Sequence, residues 1–338
     1  MTIRAWAAAI VALGVGAAIL PGRAHAFCRT TTAPFGDGAA TTHCYSDPPP
    51  GYQGLVLGFH PLYWPNACVG YSIQKDASHQ VSFDQISAVA AKSFAKWTGV
   101  SCPLGDAGTS KVSIEVRDLG PVACNAVQAN LDGPNQHVII FHDGSWPHND
   151  GLNTLALTTV TYFTDTGELW DADIEINSAQ NTISVGDPVA KGGFDLESIL
   201  THEAGHFLGL AHTTDAQAVM YWEYQPDSTR KRTLTGDDVA GICTVYRPDG
   251  TRSVDPAVAA GAMVPAQACD PTPRGGEASN CAAPPKGCGC GVAPNADSAI
   301  PMSPALVLGT AMAAALRRRR ARALERRVPP GTCYLCGS

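Results

Sequence analysis

The chain has 338 residues, with 23 basic and 30 acidic side chains, a formal net charge of −7 and twelve cysteines. Setting aside the first 26 residues and the arginine cluster at 317–327 leaves a net charge of about −15, which excludes a basic nucleic-acid footprint. So many cysteines suit an oxidising compartment rather than a reducing one.

In chain order, residues 1–26 read as a secretory signal peptide. Arg4 gives a positive start, Ala5 to Leu20 is apolar and small, and Ala24-His25-Ala26 is an A-x-A cleavage site. An N-terminal membrane anchor is the weaker reading, because the apolar run is short. His25-Ala26-Phe27-Cys28 is no lipobox, so the mature chain is expected to start at Phe27, exported and soluble. Residues 27–68 are rich in Thr, Pro, Gly and Asp and form an irregular N-terminal segment. A folded domain is expected over 69–247. Val69 to Ile73 alternates as a strand, and Ile86, Val89, Ala90, Phe94 and Trp97 recur at helical spacing over 83–98. Val112 to Val116, Val138 to Phe141, Thr154 to Tyr162 and Asp171 to Ile176 read as further strands, the last two separated by a turn at Asp165-Thr166-Gly167. A helix from Leu196 to Leu208, with Asp195 as N-cap, and a last helix from Gly236 to Tyr246 complete the domain. The order is that of an α+β fold.

Residues 248–287 are rich in Pro, Ala, Gly and Asp and read as a mobile stalk, within which Cys269 and Cys281 can close a loop. Cys28 is expected to pair with Cys44, and Cys102 or Cys124 with Cys243. Residues 288–327 hold Cys288-Gly289-Cys290, an uncharged apolar stretch from Ala299 to Leu316 near the lower limit for spanning a bilayer, and seven arginines that would stay on the cytoplasmic side. Residues 328–338, with Cys333-Tyr334-Leu335-Cys336, receive no assignment.

The chemistry is concentrated in His202-Glu203-Ala204-Gly205-His206-Phe207-Leu208-Gly209-Leu210-Ala211-His212. Histidines at i and i+4 share one helix face, and Glu203 lies nearly on the same face. Gly209 can take a left-handed conformation, end the helix and bring His212 back as a third ligand. Three neutral imidazoles are the donor set of a catalytic zinc, which keeps its fourth position open. Glu203 is then the general base. Two exposed helical histidines are the bland alternative, and the Gly and third His at the required offsets disfavour it.

This motif, with Met220 eight residues beyond His212, resembles the metzincin metallopeptidases, in which a methionine packs beneath the metal, and the spacing is that of the matrixins among them. Trp222 stands where the astacins have a metal-binding tyrosine. The resemblance covers roughly 69–247 and implies a twisted mixed five-stranded sheet, three helices and zinc in an active-site cleft. It further implies that Tyr221 and Tyr224 wall the pocket for the residue after the cut bond, and that Leu155-Ala156-Leu157-Thr158 is the substrate-side edge strand. Ala156 and Leu157 are its candidate substrate-binding residues. Core packing is the plain reading for Tyr221, Trp222 and Tyr224. Asp171, Asp173 and Glu175 match a strand that supplies structural zinc and calcium ligands in matrixins. Leu157 and Asp173 stand where zinc-binding histidines are usual, while His148 and Asp150 resemble a remnant. The second zinc is therefore expected to be lost and calcium to be allowed, a solvated strand face being the alternative. No Pro-Arg-Cys-Gly cysteine switch precedes the domain. The Cys-Gly-Cys, apolar span and arginines resemble the MYXO-CTERM sorting tail, which is removed on the way to the surface.

The leading reading is a secreted or surface-displayed zinc endopeptidase acting on protein or peptide substrates, a monomer that binds no nucleic acid and meets the membrane only transiently through its tail. A non-catalytic surface adhesion protein on the same scaffold is the alternative, disfavoured because the base and all three ligands are intact. A zinc aminopeptidase is weaker, since the third ligand is a histidine within the motif.

Overall fold

The computed structural model describes residues 27–32, 60–149, 151, 154–254, 262–278 and 331–337. Five strands of the expected region build a mixed sheet: β1 Cys68–Gln74, β2 Glu115–Val122, β3 Val138–Phe141, β4 Ala156–Tyr162 and β5 Leu169–Ile176. β1 runs parallel to β2 and β3, β3 parallel to β5, and β4 antiparallel to β5. A sixth strand, β6 Gly331–Gly337, pairs antiparallel with β4, giving the order β6-β4-β5-β3-β1-β2. The expected five strands thus become six. The addition lies at the edge of the domain's sheet, where a strand offers unpaired N–H and C=O groups along its length.

Three helices complete the domain: α1 Phe83–Thr98, α2 Leu196–Phe207 and α3 Gly236–Val245. α1 opens on a capping box between Ser82 and Gln85, and buries Ile86, Val89, Ala90, Phe94 and Trp97, the face its periodicity indicates. α1 packs along α2, and both meet the sheet. One strand differs from its expectation. Val112 and Ile114 are buried, but pairing with β1 starts only at Glu115 and runs on to Val122. β2 is the outer edge, so it accommodates Pro121, which offers no N–H to a ladder.

The chain on either side of the expected domain also enters the core. Cys28–Arg29 pairs with Leu210–Ala211, and Leu62, Tyr63 and Trp64 are buried. The stretch after Tyr246 is not a free stalk in its described parts. Thr251–Ser253 pairs with Met263–Pro265, and Arg252 is fully buried. Its guanidinium donates to the carbonyls of Trp64 (2.9 Å), Asn66 (2.9 Å) and Ser113 (3.0 Å). Arg29, also buried, donates to the carbonyls of Ser253 and Leu62. Composition suggested mobility because the segment is poor in apolar residues; its order comes from these two charged side chains and from a disulfide. That disulfide corrects a second expectation: Cys269 bonds Cys68, not Cys281. Cys102 bonds Cys243, one of the two pairings expected for that cysteine. Cys28 and Cys124 are disulfide-bonded as well.

The signal-like segment, Cys44, Cys281, the Cys-Gly-Cys element and the apolar stretch 299–316 lie outside the described residues. Among the described residues, no helix is long and apolar enough to cross a membrane.

Replacing Arg252 by Leu would leave several buried carbonyls without donors, each costing about 1–3 kcal/mol. The variant should lose at least about 3 kcal/mol in urea-induced unfolding at an unchanged slope; a midpoint equal to wild type would show that the segment is not part of the folded unit.

Candidate active site

α2 starts where Asp195 accepts the Ser198 N–H at 2.9 Å, an N-cap that Arg232 in turn grips at 2.6 and 2.7 Å. Every residue from Leu196 to Phe207 is buried. Carbonyls within the helix, and those at its end that have no partner inside it, take donors from outside. Trp97 Nε1–H donates to the Thr201 carbonyl at 2.7 Å, Trp64 Nε1–H to Phe207 at 2.7 Å, and the Tyr246 hydroxyl to Leu208 at 2.9 Å. Gly209 then turns the chain at φ 90°, as expected, and a Cβ there would lie 2.7 Å from the Leu62 carbonyl oxygen.

The turn carries His212 back to His202 and His206. The three Nε2 atoms lie 3.1–3.2 Å from one another. The Nδ1–H of His202 donates to the Val219 carbonyl at 2.6 Å, and that of His206 to the Leu210 carbonyl at 2.8 Å. Those bonds fix the tautomer of His202 and His206, whose facing nitrogens then carry lone pairs. Lone pairs at this separation repel unless a cation lies between them. Nitrogens bound to one tetrahedral zinc at 2.0–2.1 Å sit roughly 3.3 Å apart, so the donor set fits that ion. Burial keeps the imidazoles neutral: it lowers His206 to about 4 and takes His202 and His212 well below their ordinary value.

Glu203 points into the same site. Its Oε2 accepts from the Thr158 hydroxyl at 2.6 Å, and its Oε1 from the Tyr224 hydroxyl at 3.3 Å. Burial pushes the carboxyl up to about 7, against the pull of both hydroxyls. The group is thereby poised to take up and release a proton near neutrality.

Met220 lies directly beneath the helix. A Cβ at Gly205 would stand 2.2 Å from its Sδ and 2.9 Å from the Trp97 ring, so only glycine lets the methionine and Trp97 reach the helix backbone between the two helical ligands. The Met220 turn is pinned from two sides that the sequence motif does not reveal. Asp238, at the start of α3, accepts the amides of Val219 (2.9 Å) and Met220 (3.1 Å). Lys231, buried, donates to the carbonyls of Val219 at 2.8 Å and Tyr221, lies 3.2 Å from His202 Nδ1, and sits over the Tyr224 ring. Burial, with the nearby Arg230 charge, lowers Lys231 to about 7.

The remaining candidates divide. Tyr224 is in the site, its ring 5.2 Å from that of His202. Tyr221 is half-buried against Trp222 and joins the site only through its carbonyl. Ala156 and Leu157 are buried in β4, opposite Gly337 and Cys336 of β6. Asp171, Asp173 and Glu175 are buried rather than solvated, and each has its own surroundings. Asp173 accepts the amides of Gln128 and Val138, both at 2.8 Å. Glu175 bridges His142 (2.8 Å) and His148 (2.9 Å), and Asp171 lies 3.6 Å from His137. Burial holds Asp171 and Asp173 well above the usual carboxylate range; the neighbouring Asp173 raises Asp171 further, and the Glu175 charge raises Asp173. Among the described residues, metal-capable atoms converge in threes at only two places: the histidine trio, and Cys68, Glu115 and Cys269, where the sulfurs already form a disulfide. No three side chains of the acidic row and its histidines converge on one point among the described residues, and Asp150 lies outside them.

The neutral histidines make the metal-free chain acid-sensitive. Unfolded imidazoles protonate near pH 6.5, whereas folded His206 resists until about 4, so the unfolded state binds more protons in between. Stability of the chelator-treated protein should fall as pH drops from about 6.5, at up to about 1.4 kcal/mol per pH unit for each such histidine. The buried aspartates act with the opposite sign, so the comparison is with His206→Gln, whose melting temperature should fall less steeply. Identical slopes would contradict the assignment.

A family model described as Matrixin matches residues 63–247. Metalloendoproteinase 1 of Glycine max is 31% identical over 163 residues, 48% of this chain and 46% of that protein. Metalloendoproteinase 1-MMP of Arabidopsis thaliana is 37% identical over 91 residues, 27% of this chain and 22% of that protein. Human matrix metalloproteinase-20 is 34% identical over 107 residues, 32% and 20% respectively. The chain thus spans less than half the length of each of these relatives. With more than half of its residues inside the family match, including all three converging histidines, Glu203 and Met220, the chain belongs to the matrixin family.

Proposed function

We propose that this chain is an exported, monomeric zinc endopeptidase that hydrolyses peptide bonds within protein or peptide substrates. The observation that carries the reading is the convergence of three Nε2 lone pairs beside a buried, hydroxyl-held carboxylate. The disulfides Cys68–Cys269 and Cys102–Cys243 support an oxidising compartment. The relatives named as metalloendoproteinases support the reaction class.

His202, His206 and His212 would hold the zinc. When bound, zinc supplies Lewis-acid polarisation of a carbonyl and brings the pKa of water toward about 7. The protein's own groups do the rest. Glu203 accepts the proton of the attacking water and delivers it to the leaving amine. Thr158 and Tyr224 fix its two oxygens so that no reorientation is needed as the proton arrives. The Val219 and Leu210 carbonyls hold two imidazoles in the ligating tautomer. A substrate backbone would lie along Ala156 and Leu157 of β4, pairing as an added strand. Tyr221, on the Met220 turn, is proposed to wall the pocket for the residue after the cut.

Glu203→Gln removes only the proton acceptor. Cleavage of a peptide library should fall by roughly 10²–10⁴-fold with the metal retained. Elemental analysis of the wild type should find about one tightly held zinc per chain, as one complete three-histidine set implies, and none in His206→Ala. Wild-type cleavage by Glu203→Gln, or zinc surviving in His206→Ala, would refute the assignment.

A further inference from the structure

We propose that the C-terminal segment Gly331–Gly337 is an inhibitory strand, which occupies in cis the sheet edge a peptide substrate must use and is displaced when its tether is cut. The proposal rests on the peptidase reading above. β4 is paired along one side with β5, and along the other, over all seven residues, with β6: Gly331 faces Tyr162, Leu335 faces Thr158 and Gly337 faces Ala156. No free stretch of β4 remains on which a second extended peptide can add its backbone hydrogen bonds.

The register places this contact at the reaction site. Thr158, opposite Leu335, donates to Glu203 Oε2 at 2.6 Å. The last two paired residues of β6 lie against Leu157 and Ala156, and β6 also meets α2. The tail therefore crosses the strand that supports the general base, antiparallel to it.

The inhibition is built to be reversible by a single cut. A seven-residue strand binds weakly on its own, but the tether makes its pairing intramolecular. Hydrolysis of one peptide bond between Ala278 and Gly331 adds one water, frees the strand to dilute away and opens β4. The paired form is a chain exported whole, with Gly331–Gly337 on the same side of any membrane as β4, and removal of its tail would be such an event.

The test compares three full-chain proteins: the wild type, a deletion of 328–338, and a double variant Tyr334→Pro/Leu335→Pro. Successive residues of a strand alternate in N–H direction, so one of the two prolines must remove a ladder bond. Hydrogen exchange should show that β4 amides directed away from β5 are protected in the wild type and exposed in both variants. Peptide cleavage by the variants should rise roughly tenfold in kcat/KM, mainly through KM, and synthetic peptide 331–337 should inhibit the deletion variant competitively. Equal exchange in all three proteins overturns the pairing. Lost protection with unchanged cleavage overturns the inhibition. Lost protection with no cleavage by any of the three refutes the peptidase reading, and the inhibition with it, while the strand pairing stands.

Discussion

Everything at this site depends on three imidazole lone pairs being held face to face inside the protein. α2 is buried on all sides, and His202, Glu203 and His206 are buried with it. Such burial is costly for polar groups unless each finds a partner. The structure supplies one for almost every polar atom of the helix except the three Nε2 atoms. Trp64 and Tyr246 donate to the carbonyls of Phe207 and Leu208 at its end, Trp97 donates to that of Thr201 within it, Asp195 accepts the Ser198 amide, and the Val219 and Leu210 carbonyls take two Nδ1 protons. The unmet need left at the centre has the size and donor chemistry of one tetrahedral cation.

That demand organises chain segments far apart in sequence. The N-terminal segment reaches the end of α2 through Trp64, and Arg29 and Arg252 lock it to the chain after α3. α3 sends Asp238 to the Met220 turn from one side, while Lys231 reaches it from the other. Their opposite charges lie beneath the three-histidine site. Burial lowers Lys231 to about 7 and raises Asp238, so both are drawn toward their neutral forms. The functional consequence is rigidity: Met220 touches the helix backbone at Gly205, where any side chain would collide with it.

The centre of the site was legible from sequence because it is local. Ligands four residues apart on one helix, a glycine where the chain leaves that helix with positive φ, and an N-cap at Asp195 all follow from short-range geometry. The three helices follow from the spacing of apolar residues and their caps. What escaped is non-local. Thr158 and Lys231 carry no motif, and their roles arise only when β4 and the loop before α3 meet the helix. Cys68–Cys269 joins residues that composition assigned to an irregular leader and a stalk; two buried arginines had made both part of the core. The alternation at 112–116 marked buried side chains correctly but not the ladder, because β2 lies at an edge where pairing need not follow the apolar pattern. The acidic row on β5 read equally as calcium ligands or as a wet surface. It is not open to water: Asp173 accepts two amides, Glu175 bridges two imidazoles, and Asp171 lies beside Asp173 and 3.6 Å from His137.

X-ray absorption at the zinc edge tests the central claim most directly, because it reads the ligands without reference to activity. Three imidazole nitrogens at roughly 2.0–2.1 Å and one oxygen neighbour are the expected result for the purified chain. A sulfur shell near 2.3 Å, or four protein nitrogens with no open position, would contradict it.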